Sequence, residues 1–369
     1  MRLFDNDASQ ISDPFLRRAY ELAESGRGTT SPNPVVGCVI VRDGEVVGIG
    51  AHLTFGGAHA EVIAIADAGD AACGATAYVT LEPCNHHGKT PPCTVALLHA
   101  GIARVVIGMP DPNVGVSGGG AAVLAAGGVD VEFSPDPSPF ERQNEAWLHY
   151  VETSRPWIRV KTALSLDGRT AMRDGERARI SGPETDEITM RLRSMADAVL
   201  VGARTAEVDQ PALTVRDPEG NLTKRQPIRV VMGRNAAPKA DLLTDSLGRT
   251  IALLPQEWTS DVADGVEVLG YDSSAGIAGA VETLGAIGIT HLLIEAGGGL
   301  LTALWETDLI DEMVLYHSGG MAGRDAPEAF YGHHQGETDA LQRRMTVTET
   351  GIAGGDAVTL WRRASESSR

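Results

Sequence analysis

His59-Ala60-Glu61 and the stretch from Glu82-Pro83-Cys84 to Cys93 hold the residue types best suited to chemistry in the first half of the chain. One imidazole and two thiols offer donors of the kind zinc prefers, and they leave a fourth place for water. Two thiolates cancel the charge of the ion, so the protonation change falls on the bound water. Zinc brings the pKa of that water to near ~7, which makes hydroxide available at neutral pH. Glu61 stands two residues from His59. That spacing does not share a face of an ideal helix, yet at a helix's first turn both side chains reach a site beyond its end. A carboxylate there takes the water's proton and passes it to a leaving group.

The pattern H-x-E…P-C-x-x-C marks zinc deaminases, with Glu as acid and base and not as a ligand. His59-Ala60-Glu61 and Pro83-Cys84 match it, but eight residues, not two, separate Cys84 from Cys93. The insertion, rich in Asn, His, Gly, Lys and Pro, fits a loop shaped around one substrate. His86 and His87 fall inside it and are rival ligands; a structural Cys/His/His/Cys site is the alternative. Taken singly, His59 reads equally as a helix cap and the cysteines as core. Cys38 and Cys73 have no partner motif.

The chain has 369 residues, a formal charge of −18, and 43% apolar and 22% charged residues. That length implies two domains of the usual ~100–200 residues. The acidic balance argues against sequence-independent nucleic-acid binding, which needs phosphate neutralisation. A few local arginines still suffice for a small phosphorylated ligand. No apolar run approaches the ~20 residues of a membrane span. The N-terminal MRLFDNDASQ lacks the apolar core of a signal peptide. A cytoplasmic location is expected, where four cysteines read as core or ligands rather than disulfides.

The elements that must position these groups follow an α/β pattern. Residues 13–25 have helical spacing, with Asp13 as N-cap and Pro14 at the first position. Residues 35–50 form a hairpin around Asp43-Gly44. A helix over 59–69, a strand over 75–81, a helix over 94–101 and strands over 103–109 and 129–133 follow. Residues 134–139, SPDPSP, are turn-rich, and one short helix over 140–152 precedes Arg155-Pro156. The boundary is placed here, giving domains 1–153 and 154–369. The pattern then restarts with strands at 157–165, 197–203, 227–233, 249–254, 291–296, 312–318 and 358–364. Helices are expected at 183–196 and 275–288, and another opens at Gly297-Gly298-Gly299, a turn suited to phosphate. No repeat relates the halves, so two different α/β domains are expected.

The segments SPNPVVGCVIV, GAHAE, AYVTLEPCNHHGKTPPC and MPDPN resemble the deaminase half of the bifunctional riboflavin-biosynthesis deaminase/reductase family. VKTALSLDGRTA, DAVLVGARTAEVDQPALTVR and LIEAGGGLL resemble its reductase half. The resemblance covers nearly the whole chain, and LEPCNHHGKTPPC is its most specific motif. It implies an N-terminal cytidine-deaminase-like three-layer domain and a C-terminal dihydrofolate-reductase-like α/β domain. It implies hydrolysis of the 2-amino group of a phosphoribosylamino-pyrimidine, then NADPH reduction of the ribosyl group to ribityl. One zinc per chain is implied, held by His59, Cys84 and Cys93, with Glu61 as proton shuttle. Asn33, His52, Lys89, Asp111 and Asn113 match positions lining the pyrimidine and ribose-phosphate pocket. Residues 297–303, that is Gly297, Gly298, Gly299, Leu300, Leu301, Thr302 and Ala303, match the NADP-phosphate turn. Ala163, Thr205 and Asp209 match further cofactor contacts, and Arg193, Leu213, Arg216 and Glu295 match substrate contacts. A homo-oligomer, dimer or tetramer, is expected.

One departure stands out. Where the family commonly reads Gly-Glu-Ser-x-Trp-Ile-Thr, this chain reads Gly175-Glu176-Arg177-Ala178-Arg179-Ile180-Ser181. The two arginines are extra phosphate clamps or signs of altered cofactor binding. The alternative is therefore an active deaminase with a weak or inactive reductase domain. A zinc-stabilised nucleotide-binding protein without turnover is a third reading, against which Glu61 argues.

Overall fold

The computed structural model describes residues 7–85, 91–112, 119–177, 179–234, 239–258, 262, 265–331 and 345–364. Two compact units meet at Thr153 and Ser154. Among the described residues no helix is long and apolar enough to cross a membrane.

The first unit opens with α1 (Pro14–Ala23), whose first N–H groups are capped by the Asp13 carboxylate at 2.8 and 2.9 Å. β1 (Gly37–Arg42) and β2 (Glu45–Ala51) form a hairpin. Its two-residue turn puts both Asp43 and Gly44 at positive φ, as the Asp-Gly pair favours. α2 (Ala60–Ala68), β3 (Thr76–Leu81), α3 (Cys93–His99), β4 (Arg104–Met109), α4 (Gly120–Ala126) and β5 (Asp130–Phe133) follow. The sheet runs β2-β1-β3-β4-β5. β1 is antiparallel to both neighbours, whereas β3, β4 and β5 are parallel. α4 has no helix signal in the sequence: its Ala-rich stretch carries no cap residue, and it starts from Gly119 in the left-handed region.

The helix expected over 140–152 is two, α5 (Ser138–Gln143) and α6 (Glu145–Thr153), broken at Asn144. The break has a cause. The Asn144 side chain is drawn to the backbone of Val35, accepting from its N–H at 2.9 Å and donating to its carbonyl at 3.1 Å. It thereby fixes the extended entry to β1, two residues beyond Asn33.

The second unit holds β6 (Trp157–Leu164), α7 (Thr185–Met195), β7 (Ala198–Gly202), α8 (Ala203–Asp209), β8 (Ile228–Met232), β9 (Thr250–Pro255), β10 (Glu267–Tyr271), α9 (Gly276–Ala286), β11 (His291–Glu295), α10 (Gly298–Glu306), β12 (Glu312–His317), β13 (Met345–Ala353) and β14 (Asp356–Arg363). Its sheet runs β10-β9-β8-β7-β11-β6-β12-β14-β13. All neighbours are parallel up to β12; β14 and β13 pair antiparallel at the edge. Near-continuous Val, Ile and Leu in β7, β8, β9 and β11 suits strands covered on both faces. α8, β10 and β13 escaped the sequence pattern, being short or, in β13, mostly exposed.

Candidate active sites

The first site forms where the loops after β3 and β4 meet the starts of α2 and α3. Small residues on β2 let α2 lie close: a Cβ at Gly50 would stand 2.2 Å from the Ala60 carbonyl. His59 occupies the N-cap position of α2 in extended backbone, and its side chain caps nothing. The imidazole is free for other partners. Its Nδ1 lies 3.1 Å from Cys93 Sγ and 3.5 Å from Cys84 Sγ. Cys93 is the first residue of α3 and fully buried; its backbone N–H donates to Cys84 Sγ at 3.4 Å. The donor atoms of His59, Cys84 and Cys93 all lie within 4.8 Å of one another. One imidazole and two thiols at such spacing suit a tetrahedral zinc ion, whose bonds are ~2.0–2.3 Å long.

Glu61, in the first turn of α2, is 3% exposed and takes a hydrogen bond from the Cys93 thiol. Burial, reinforced by the Cys84 sulfur, pushes its carboxyl up to about 7. The Cys93 hydrogen bond, aided by His59, pulls the Cys84 thiol down to about 4, while sharing that bond pushes Cys93 up. A bound cation deprotonates coordinating thiols outright.

His52 adjoins this cluster, its ring 5.4 Å from that of His59 and nearly perpendicular to it. Burial lowers its pKa. Its two nitrogens meet the Ala58 carbonyl at 3.0 Å and the Asn33 amide at 3.2 Å. Asp111 follows β4, and its backbone N–H donates to the Glu82 carboxylate at 3.3 Å. Glu82 also accepts from Ala121 N–H at 2.9 Å, near the start of α4. A Cβ at Gly120 would stand 1.8 Å from the Pro83 carbonyl, so only glycine lets α4 abut the loop carrying Cys84. Glu82 was part of the motif but its bracing work was not legible, because both partners are backbone groups far along the chain. Lys89 and Asn113 lie outside the described residues, as do His86 and His87.

The second site is a cleft of 520 Å³ at the carboxyl ends of β6, β7 and β11, adjacent parallel strands in the sheet. Ligands favour such a place in parallel sheets, and the volume suits a small ligand or cofactor. Ala163, Thr205, Asp209, Gly297, Gly298, Gly299 and Leu300 line it, as do Arg193 and Glu295. A Cβ at Gly298 would stand 2.3 Å from the Glu328 carbonyl, so glycine is required where α10 begins. The free N–H groups of that first turn and the surrounding arginines fit a phosphorylated cofactor such as NADPH. Leu301 is in the core, Ala303 packs against it, and the Thr302 hydroxyl accepts from Tyr331 N–H at 2.9 Å.

Arg193, in the last turn of α7, forks onto the Glu295 carboxylate at 2.6 and 3.0 Å. Burial pushes the Glu295 carboxyl upward, but Arg193 and then Lys161 outweigh it and hold it at about 2. No motif in the sequence marks Lys161 on β6. It sits inside an apolar strand, lines the cleft, and lies 5.0 Å from the centre of the Tyr316 ring. Burial lowers its pKa, opposed by Glu295. Its ammonium has no hydrogen-bond partner among the described residues. Leu213 is fully buried at positive φ in the core beside the cleft, and the neighbouring Thr214 carbonyl accepts from Arg193 at 3.0 Å. Arg216 is exposed, donating to the Gly220 carbonyl at 2.7 Å.

Both departing arginines line the cleft, but with different partners. Arg179 donates at 2.8 Å to the Ser181 and Gly182 carbonyls and to Asp186, which braces the approach to α7. Arg177 is exposed on the cleft lining, where its charge opposes the upward push of burial on Asp209.

Residues 9–109 match the family described as the cytidine and deoxycytidylate deaminase zinc-binding region. Residues 156–353 match the RibD C-terminal domain. The riboflavin biosynthesis protein RibD of Escherichia coli is 41% identical over 327 residues, which is 85% of this chain and 89% of that protein. RibD of Aquifex aeolicus is 34% identical, over 93% of this chain and 96% of that one. Acinetobacter baumannii RibD superposes with a TM-score of 0.83 at 35% identity, covering 95% of this chain and 98% of that one. The Thermotoga maritima diaminohydroxyphosphoribosylaminopyrimidine deaminase/5-amino-6-(5-phosphoribosylamino)uracil reductase gives a TM-score of 0.83 at 32% identity, with the same coverages. With the deaminase and dihydrofolate-reductase-like folds, a zinc donor set and an NADPH-suited cleft in one polypeptide, the chain belongs to the RibD family, the bifunctional deaminases and reductases of riboflavin biosynthesis.

Proposed function

We propose that residues 1–153 deaminate 2,5-diamino-6-(5-phosphoribosylamino)pyrimidin-4-one and that residues 154–369 reduce the ribosyl group of the product to ribityl. The observation that carries the first step is the convergence of His59, Cys84 and Cys93 within 4.8 Å beside the buried Glu61. Those three residues would hold zinc, which as a Lewis acid lowers the pKa of water at the site. Glu61 takes a proton from water on a carboxylate oxygen and returns it to the departing amine, so water and the amino group become a carbonyl and ammonia. Asn33 and Asp111 frame the substrate, with His52 behind Asn33; Lys89 and Asn113 are assigned to the same pyrimidine and ribose-phosphate pocket by family resemblance alone.

In the second unit the turn from Gly297 into Leu300, with Ala163, Thr205 and Asp209, would hold NADPH, the source of hydride. Leu301, Thr302 and Ala303 carry that turn. Glu295, held ionised by Arg193, and Lys161 face the ribosyl group as the paired charges of the cleft. Leu213 and Arg216 do not line the cleft and are assigned to substrate by family resemblance alone.

The chain assembles as a homo-oligomer and works in the cytoplasm. Four free cysteines, two of them ligands, favour a reducing compartment. The purified protein, given the diaminopyrimidine substrate, releases ammonia; given the deaminated intermediate, it oxidises NADPH at the nicotinamide absorbance band. Absence of NADPH oxidation at any intermediate concentration would remove the second activity. The molar mass in solution tests the oligomer.

A further inference from the structure

We propose that His52 is a positioning residue, which turns the Asn33 amide so that its carbonyl oxygen, not its NH2, is presented to an N–H of the aminopyrimidine. The proposal rests on the reading of Asn33 as a pyrimidine contact. Resemblance places His52 against substrate, but both of its ring nitrogens are already engaged within the chain. It is 3% exposed. Nδ1 stands 3.0 Å from the Ala58 carbonyl, which can only accept, so Nδ1 carries the hydrogen. In the neutral ring Nε2 is then a bare acceptor. Asn33 Nδ2 lies 3.2 Å from it and donates.

Among the described residues nothing else orients the amide. Its terminal torsion is broad and nearly two-fold, and its two ends are alike in size. Its backbone is fixed on both sides. The Asn33 N–H donates to the Thr30 carbonyl at 2.8 Å, and Val35 is clamped by Asn144. The side-chain torsions are left to choose which end of the amide meets the ring, and His52 sets that choice. Turned the other way, the Asn33 oxygen would face the lone pair of Nε2. With the NH2 end committed, the oxygen faces away from His52 as an acceptor. An acceptor selects a ligand edge bearing N–H and disfavours one bearing a carbonyl, because unpaired buried polar atoms are costly.

Two replacements separate the two nitrogens of the ring. Asn at position 52 keeps a donor near Nδ1 for Ala58 and removes the acceptor at Nε2. Gln reaches the Nε2 position and restores an acceptor. In the full chain, His52→Asn should lower kcat/KM for ammonia release roughly ten- to a hundredfold. Bound zinc and NADPH oxidation with the deaminated intermediate should stay at wild-type levels. His52→Gln should recover most of the loss. Asn33→Ala should lose as much as His52→Asn, and the double variant no more than either.

Wild-type ammonia release by Asn33→Ala would sink the contact reading and the proposal together. A loss in Asn33→Ala with none in His52→Asn would sink the positioning role alone, as would additive losses or loss of zinc from His52→Asn. Should the variants not fold, the ring ¹⁵N spectrum of the wild-type protein decides. A protonated Nδ1 and a bare Nε2 at His52 are required, and a protonated Nε2 overturns the assignment.

Discussion

Glu61 is buried against the ligand set, and nothing else on α2 can reach the same place with a carboxylate. Replacing it by Gln keeps the shape and removes the base. Glu61→Gln should therefore retain one zinc per chain by metal analysis and lose ammonia release by ~10²–10⁴-fold; turnover near wild type would take Glu61 out of its role. The donors His59, Cys84 and Cys93 were legible in the sequence because zinc accepts so few side-chain types. Lys161 and Glu82 were not. A lysine inside a strand looks like any other until the sheet shows it opening on a cleft. A carboxylate that binds only backbone N–H groups leaves no second residue type to find.

Glu295 carries a pH dependence at the same scale. Its folded pKa, about 2, lies below the ordinary 4.5 because Arg193 and Lys161 overcome its burial. A depressed pKa stabilises the fold at pH above 4.5, and that contribution fades as pH falls from 4.5 towards 2. Denaturant titrations should show wild type losing stability over this window more steeply than Glu295→Gln. Parallel slopes would mean that the ion pair is not coupled to folding.

At the scale of elements, two close approaches decide geometry. α10 meets the Glu328 carbonyl at Gly298, so Gly298→Ala forces the turn outward. It should weaken NADPH binding, read by quenching of nicotinamide fluorescence, and cost about 1–3 kcal/mol of stability, as overpacking does. Unchanged affinity would mean that the turn does not hold the cofactor. In the first unit, Asn144→Ala leaves the Val35 N–H and carbonyl without their partner. It should destabilise by about 1–3 kcal/mol in denaturant melts and lower ammonia release but not NADPH oxidation. The helix break at Asn144 shows what periodicity misses. The segment reads as continuous helix because its local preferences are helical; the partner that interrupts it stands 109 residues away. Hairpin and capping signals at Asp43-Gly44 and Asp13 were readable because each is complete within a few residues.

At the scale of the molecule, each unit has its own sheet and its own buried clusters. Zinc bears on one of them only. Dialysis against a chelator should abolish ammonia release while the same sample still oxidises NADPH with the deaminated intermediate. Loss of both activities together would show that the second unit depends on the metal. The alternation of strands and helices announced two α/β units. The antiparallel edge of β14 and β13 did not announce itself, since β13 is mostly exposed and reads as polar coil.

The clamp between Val35 and Asn144 also has a consequence for how the chain comes into being. During synthesis the stretch bearing Asn33 leaves the ribosome 109 residues before the side chain that pins it. Until then the hairpin, α2 and the cysteine loop can gather, but the entry to β1 beside Asn33 has no fixed seat. Completion of the deaminase site therefore waits on α5 and α6, which makes the last helices of the unit, and not its ligand motif, the step that turns a nascent chain into a competent one.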